Sequence, residues 1–283
     1  MNIPTVSGTG NLPKLVLVAR DGACAEIYLH GAHLTSWTPA AGGGNRLFLS
    51  SRSRFGPGSA IRGGIPVSFP QFATQGPLPN HGFARVTPWS VAVARLADDG
   101  SAIAILRLAD SEATRLLWPH AFALELAVRL SGDWLDVGLA VTNPGSASFS
   151  FTAALHTYLA VADSGATTVR GLQGARFRDK VARLDECQEG EADLRITGEI
   201  DRVYRVAPQD LEVRERGRSM AIRASGFPDT VVWNPGATRA ASLADLEPGG
   251  ERRMLCVEAA AAAVPVELAG GTTWRGSQRL TAG

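Results

Sequence analysis

The fold of this chain is decided by two runs, FALELAVRL at 122–130 and WLDVGLAVT at 134–142, which flank Ser131-Gly132-Asp133. In both runs, large apolar residues alternate with polar or small ones. A period of two is typical of a β-strand with one buried face. Because the three residues between the runs are strong turn formers, the stretch predicts an antiparallel hairpin.

The same alternation recurs along the chain, and 31 glycines and 16 prolines supply turns between the runs. Only 110–118 and 235–244 have a helical pattern. We therefore predict an all-β fold, a large antiparallel sandwich with few short helices, in one domain spanning 1–283 with its core at about 14–280. The charged segment 176–199 is interpreted as an excursion over the surface. The predicted strands are 14–20, 25–30, 33–38, 86–94, 102–108, 122–130, 134–142, 148–154, 157–162, 167–172, 203–206, 211–216, 219–224, 230–233, 252–258 and 264–268.

Composition excludes several classes of protein. Of the 283 residues, 45% are apolar and 19% are charged, which argues against disorder. A formal net charge of +1 provides no field that would attract nucleic acid or acidic lipid. No apolar run approaches the roughly 20 residues of a membrane-spanning helix. Three cysteines are too few for a disulfide framework, and the N-terminus does not resemble a signal peptide, so we expect a cytoplasmic protein.

The segment 55–89 differs from the rest because it has little regular alternation. A long irregular loop in a compact domain is usually functional or disordered, and its apolar residues argue against disorder. Gly63-Gly64 lets the backbone approach either a ligand or another chain segment closely. Both interpretations stay open from the sequence.

Candidate chemical groups are scattered, and each has an ordinary structural alternative. Arg62 and Arg85 would suit an anionic ligand, although most arginines pair with a surface carboxylate. His156 lies in an apolar strand and could simply bond a backbone carbonyl. Glu258 ends an apolar run, where a carboxylate is costly to bury unless it belongs to a site. Asp201, which enters a strand, would ordinarily be solvated.

Motifs for other chemistries are absent from the sequence. It contains neither a G-x-S-x-G nucleophile elbow nor a phosphate-binding P-loop. His30 and His33 invite a metal interpretation. On one extended strand they would point to opposite faces, and across a turn at Gly31-Ala32 they could converge, but no third or fourth ligand is indicated. We therefore predict structural roles for them and no metal site.

Taken in order, several segments resemble the glucose-6-phosphate 1-epimerases, the hexose-6-phosphate mutarotases of the aldose 1-epimerase superfamily. The likeness runs from about residue 25 to 260, and the I-R-G-G-I-P and L-H-T-Y blocks are its most specific parts. The segments are 27–37 (IYLHGAHLTSW), 61–72 (IRGGIPVSFPQF), 81–85 (HGFAR), 155–158 (LHTY), 201–204 (DRVY), 232–235 (VWNP) and 256–258 (CVE).

The resemblance implies a galactose-mutarotase-like β-supersandwich that interconverts sugar anomers without a metal or redox cofactor. Residue by residue, it implies that His156 is the general acid and Glu258 the general base. The remaining carried-over residues would bind a sugar phosphate: Arg62 and Arg85 its phosphate, His81 and Asp201 its hydroxyls, and Gln71, Trp233 and Asn234 the rest of the pocket. This chain departs from the family by having Ser59 where Lys is common, Ala73 where Gly is common, and Gly236 where Trp is common.

Anomer exchange removes a proton from the anomeric hydroxyl and gives one to the ring oxygen, which needs one acid and one base. The ordinary pKa values are about 6.5 for histidine and 4.3 for glutamate. A protonated histidine therefore coexists with an ionised glutamate only if the site raises the pKa of the histidine or couples the titrations of the two groups. Two alternatives stay open, an epimerase of free sugars and a non-catalytic carbohydrate-binding protein. The sequence indicates no particular oligomer and is compatible with a monomer.

Overall fold

The computed structural model describes residues 2–205 and 210–283. Its strands, in chain order, are β1 (Thr5–Ser7), β2 (Pro13–Val18), β3 (Cys24–Tyr28), β4 (His33–Thr38), β5 (Val67–Ser68), β6 (Ser90–Leu96), β7 (Ala102–Ala109), β8 (Ala123–Ser131), β9 (Trp134–Thr142), β10 (Phe149–Leu155), β11 (Tyr158–Ala160), β12 (Thr168–Arg170), β13 (Arg176–Asp179), β14 (Leu184–Gln188), β15 (Asp193–Arg195), β16 (Ile200–Tyr204), β17 (Leu211–Glu215), β18 (Arg218–Ser225), β19 (Asp229–Asn234), β20 (Met254–Leu268) and β21 (Thr273–Ala282).

Helices are few and short, as predicted. Helix α1 spans Glu112–Leu117 and helix α2 spans Gly236–Ala240, each inside a predicted helical segment. The Ser111 hydroxyl caps α1 by accepting a hydrogen bond from the Thr114 amide. Short 3-10 helices occupy Thr9–Asn11, Ala84–Val86, Ser164–Ala166 and Gly250–Arg253. No helix in the described part of the chain is both long and apolar enough to cross a membrane.

The strands form three sheets, and within the described residues every strand pair is antiparallel. The small sheet has the order β1-β2-β3-β4. An eight-stranded sheet has the order β14-β13-β16-β19-β20-β10-β5, with β11 also paired to β20. A nine-stranded sheet has the order β15-β12-β17-β18-β21-β9-β8-β7-β6. The all-β antiparallel prediction is confirmed.

The sheets share one apolar core. In the hairpin of β8 and β9, Leu126 lies opposite Leu139 and both side chains are buried. The same cluster of buried side chains includes Leu17 from the small sheet and Val257 from the eight-stranded sheet. The cluster therefore joins all three sheets, which is the arrangement of a β-sandwich.

The strand prediction needs correction in several places, and β1, β5 and β21 have no predicted counterpart. The segment 176–199 is not an irregular excursion, because β13, β14 and β15 lie in it; its charged side chains cover exposed faces and hide an alternation in which Phe177 and Leu194 are buried. The predicted strands 252–258 and 264–268 are one strand, β20, because the alanines between them pair with β10. In the predicted strand 203–206, residue 206 lies outside the described residues.

Gly63 and Gly64 serve the close approach of other chain segments. Gly63 has φ +117°, and a Cβ there would lie 2.3 Å from the Phe48 carbonyl oxygen. The Gly64 amide donates a 2.7 Å hydrogen bond to that same oxygen. Packing between backbone segments, rather than a ligand, therefore accounts for these two glycines.

A buried glutamine links the two large sheets. Gln278, on β21 of the nine-stranded sheet, accepts a 2.5 Å hydrogen bond from the Thr157 hydroxyl. Its side-chain amide donates a 3.0 Å hydrogen bond to the Val257 carbonyl on β20. These bonds fix the residue that follows His156 in sequence and the residue that precedes Glu258.

We expect Gly63→Ala to unfold more easily than Gly58→Ala. Both glycines have positive φ, but the space around Gly58 is open whereas a Cβ at Gly63 meets backbone. The extra loss of unfolding free energy should be roughly 1–3 kcal/mol, the usual cost of overpacking. Urea denaturation of the two variants measures it, and equal stability of both would contradict the close-packing explanation.

We expect Gln278→Leu to lower the free energy of unfolding by roughly 2–6 kcal/mol, because two buried groups lose their partner at about 1–3 kcal/mol each. Gln188→Leu is the matched control, since Gln188 lies exposed on β14. That substitution should change stability by less than about 0.5 kcal/mol. If Gln278→Leu unfolds at the wild-type urea concentration, the bonds between the sheets contribute no stability.

Candidate active site

One face of the eight-stranded sheet collects polar side chains from four strands. Asp201 on β16 lies opposite Trp233 on β19, which lies opposite Cys256 on β20, which lies opposite Tyr158 on β11. Directly paired residues of antiparallel strands point to the same face, so these four form a row. Glu258 lies two residues after Cys256 and therefore points to that face in the next row.

His156 reaches this face from the short connection between β10 and β11. Its ring stacks on Tyr158, with centroids 4.7 Å apart and planes inclined by 9°. The His81 ring approaches it edge-on at 5.0 Å. The result is that His156 Nδ1 lies 3.4 Å from Glu258 Oε1, although 102 residues separate the two in sequence.

Both members of this pair are buried and each keeps a polar atom without a hydrogen-bond partner. The exposed fraction is 6% for His156 and 1% for Glu258, and the free atoms are His156 Nδ1 and Glu258 Oε2. Buried polar atoms without partners are costly, so these two atoms are candidates for contact with a ligand.

The pair borders a cavity of about 320 Å³, which is large enough for one small ligand. Its lining residues are Arg62, Phe72, Ala73, Thr74, Asn80, His81, His156, Lys180, Asp201, Val231, Trp233, Arg239, Leu243 and Glu258.

Burial moves the pKa values of the pair toward its uncharged form. It raises the pKa of Glu258 well above the usual value, and the Asp201 carboxylate adds to the shift. It lowers the pKa of His156 well below 6.5, with smaller contributions from His81, Arg85 and Arg62. The site does not raise the pKa of the histidine, so a histidinium beside an ionised Glu258 would require coupling between the two groups.

His81 is a fixed hydrogen-bond donor. The Ala73 amide donates a 3.3 Å hydrogen bond to His81 Nδ1, which must therefore carry the lone pair. Burial lowers the pKa of His81 to about 2, so the ring is neutral and its proton lies on Nε2. His81 and Ala73 both have positive φ, 64° and 48°, which allows the loop between them to close.

Arg62 is held in the pocket wall by two partners. Its guanidinium donates a 3.0 Å hydrogen bond to the Tyr158 hydroxyl and forms a 3.1 Å ion pair with Asp245. Asp201 is not simply solvated, because its carboxylate forms a 2.8 Å ion pair with Lys180. The pocket therefore combines a neutral acid–base pair with ionic groups on its walls.

Three predicted site residues are not among those that line the cavity. Gln71 uses its side-chain amide to hold Ala73 and Leu78 of its own loop. Asn234 donates to the carbonyls of Glu251 and Met254. Arg85 donates to the Asn80 carbonyl behind the pocket wall. In this geometry these three residues support the walls, and contact with a sugar stays a prediction for them.

Sequence reasoning missed Lys180 and Arg239. Lys180 follows β13, in the segment that was interpreted as a surface excursion, and Arg239 lies on α2. Thr74 and Asn80 also line the cavity, and both belong to the irregular segment 55–89, whose sequence does not distinguish them from its other polar residues. Gly236 begins α2, and a Cβ there would lie 2.6 Å from the Glu199 amide nitrogen, which explains glycine at this position.

His30 and His33 have the structural roles that were predicted. His30 Nε2 donates to the Ser59 carbonyl, and His33 Nε2 donates to the Gly63 carbonyl, both at 2.7 Å. Burial lowers the pKa of His33 to about 4, so its ring is neutral at physiological pH.

Comparison with known proteins shows the family of this chain. A model of the aldose 1-epimerase family matches residues 13–281. A Cenchrus ciliaris protein provisionally named glucose-6-phosphate 1-epimerase is 37% identical over 296 residues, covering 99% of this chain and 87% of that protein. A protein of the same provisional name from Escherichia coli (strain K12) is 38% identical over 251 residues, covering 87% of this chain and 82% of that protein.

A solved structure extends the likeness to the fold. A Salmonella typhimurium protein, provisionally described as a mutarotase, superposes with a TM-score of 0.89 at 30% identity, covering 99% of this chain and 96% of that one. The galactose-mutarotase-like sandwich implied by the sequence is thus confirmed. With a family match over nearly its whole length, the chain belongs to the aldose 1-epimerase family.

Proposed function

We propose that this protein interconverts the α and β anomers of a hexose 6-phosphate, with His156 as general acid and Glu258 as general base. The observation that carries the proposal is the pair itself, with His156 Nδ1 and Glu258 Oε1 3.4 Å apart at the wall of a sugar-sized cavity. The anomeric hydroxyl and the ring oxygen are bonded to the same carbon. Two proton-transfer groups this close together can therefore reach both oxygens of one hemiacetal.

Ring opening needs two proton transfers. Glu258 takes the proton of the anomeric hydroxyl while His156 gives a proton to the ring oxygen, and the bond between C1 and the ring oxygen breaks. The aldehyde turns about its C1–C2 bond, and the ring closes on the other face with both transfers reversed. Each group contributes about 10²–10⁴ to the rate.

The pair carries one exchangeable proton throughout the cycle. Before opening, it is a histidinium and a carboxylate; after opening, it is a neutral histidine and a carboxylic acid. Burial favours the second form, as the pKa directions of His156 and Glu258 indicate. A bound sugar that accepts from His156 and donates to Glu258 gives each charge a partner and so favours the first form.

Cations on the pocket wall support a phosphorylated substrate. Arg62, Lys180 and Arg239 line the cavity, and guanidinium and ammonium groups are the usual partners of phosphate. A phosphate remote from C1 would anchor the sugar so that its anomeric carbon faces the catalytic pair. The provisional names of the Cenchrus and Escherichia coli relatives point to the same substrate class.

Further pocket residues would orient the sugar ring. Neutral His81 offers its Nε2–H, and Asp201 can accept from hydroxyl groups while Lys180 balances its charge. The Trp233 ring lies edge-on to the His156 ring, with centroids 6.0 Å apart, and would restrict the sugar ring to one plane.

A cytoplasmic location is part of the proposal. All three cysteines carry free thiols, which fits a reducing compartment.

We expect Glu258→Gln to reduce anomer exchange by about 10²–10⁴-fold, because the amide cannot accept the hydroxyl proton. Polarimetry from a pure anomer measures the rate, and circular dichroism checks that the fold is kept. Glu125→Gln, on the exposed face of β8, is the control and should exchange at the wild-type rate. Wild-type exchange by Glu258→Gln would refute the base assignment.

We expect Arg62→Ala to raise KM far more for glucose 6-phosphate than for free glucose, by at least about tenfold, since a charge-assisted bond is worth about 1.5–3 kcal/mol. Arg252→Ala is the control, because Arg252 lines a different surface depression. Equal effects on both sugars would remove Arg62 from the phosphate site. If wild type has the same kcat/KM for both sugars, the result favours an epimerase of free sugars. If wild type exchanges the anomers of neither sugar, the result favours a carbohydrate-binding protein.

A further inference from the structure

A third potential metal ligand lies against the catalytic pair. Cys256 is fully buried, and one ligand atom each from His156, Cys256 and Glu258 lie within 4.8 Å of one another. The proposed mechanism does not use Cys256, and this residue does not line the cavity. Its position therefore raises the question of what the three groups could hold together.

We propose that His156, Glu258 and Cys256 form an inhibitory site for a borderline-soft divalent cation such as Zn²⁺. Imidazole, carboxylate and thiolate are all zinc ligands, at about 2.0–2.3 Å from the metal. Around one tetrahedral centre such atoms lie roughly 3.5 Å apart. The 3.4 Å between His156 Nδ1 and Glu258 Oε1 already has this spacing.

The unpartnered atoms of the pair are the second observation for this site. His156 Nδ1 and Glu258 Oε2 are buried with no hydrogen-bond partner among the described residues. A bound cation supplies both with a partner at once. Binding also requires the Cys256 thiol and the Glu258 carboxyl group of the neutral pair to release their protons to solvent. Three protein ligands and one water then complete four-coordination.

The sheet register explains why the three ligands converge. Cys256 and Glu258 are two residues apart on β20 and share a face, while Tyr158 on β11 lies opposite Cys256. His156 precedes Tyr158 by two residues and stacks on its ring. A thiol thus lies beside two pocket groups.

Zn²⁺ and the sugar compete, because the metal occupies the nitrogen and oxygen that the reaction needs for proton transfer. Mg²⁺ prefers six oxygen ligands and is not expected to bind here. Loss of the thiolate removes one of three protein ligands while leaving the acid and the base in place. Cys256 therefore sets the affinity for the metal and not the rate of anomer exchange.

Cobalt titration of the purified protein tests the proposal without reference to its activity. Wild type with Co²⁺ should develop a near-ultraviolet thiolate-to-cobalt charge-transfer band, which Zn²⁺ abolishes by displacement. Cys256→Ser should lack the band and bind Zn²⁺ at least about tenfold more weakly by calorimetry. Cys187→Ser, which removes a partly exposed thiol, is the control and should match wild type.

Kinetics provide the second measurement. Micromolar Zn²⁺ should inhibit wild type competitively with the sugar, and Cys256→Ser should keep its uninhibited rate but need at least about tenfold more Zn²⁺. Cys256→Ala replaces Cys256→Ser if the serine variant misfolds. No charge-transfer band in wild type, a band that persists in the Cys256 variant, or loss of the band in Cys187→Ser would each overturn the proposal. A wild type that binds cobalt through Cys256 but exchanges no anomers would refute the proposed function alone.

Discussion

The proposed reaction depends on one proton that passes between a sugar and two buried groups, both of which resist charge. His156 and Glu258 lie in a low-dielectric wall, where burial lowers the pKa of the imidazole and raises that of the carboxyl group. The uncharged form that burial favours is the form the proposed cycle requires when the sugar ring is open. The closed-ring complex needs the charged form, which only a bound hemiacetal provides with partners. The proposed cycle thus uses both charge states of the pair, one with the sugar ring closed and one with it open.

The fold supplies this pair by joining distant parts of the chain through β20. That strand pairs with β10 and β11 on one side and with β19 on the other. It therefore brings Glu258 beside His156 and one row away from Trp233 and Asp201. Gln278 then reaches from the nine-stranded sheet to the neighbours of both catalytic candidates. Contacts between the two large sheets therefore hold the residues next to the catalytic candidates as well as the core.

Sequence alone could predict the β-rich fold, because alternation such as that of 122–142 directly reflects one buried face. It could not predict strands such as β13 and β14, whose charged residues face solvent on the exposed side. For the site, the motif resemblance identified His156, Glu258, Arg62, His81, Asp201 and Trp233, all of which border the cavity. The convergence of Cys256 on the pair depends on strand register across the sheet, which no local pattern encodes. Lys180 follows β13 and Arg239 lies on helix α2, so their place at the cavity depends on how these elements pack. That the chain forms one domain stays a prediction, which the shared core supports.

Two-dimensional exchange NMR of an equilibrated mixture of α- and β-glucose 6-phosphate tests the central claim most directly. With a catalytic amount of protein, cross-peaks should connect the two anomeric protons at mixing times where the sugar alone gives none, and they should be weaker for free glucose. If the protein adds no exchange for either sugar, the buried pair does not open a pyranose ring, and the proposed chemistry is wrong.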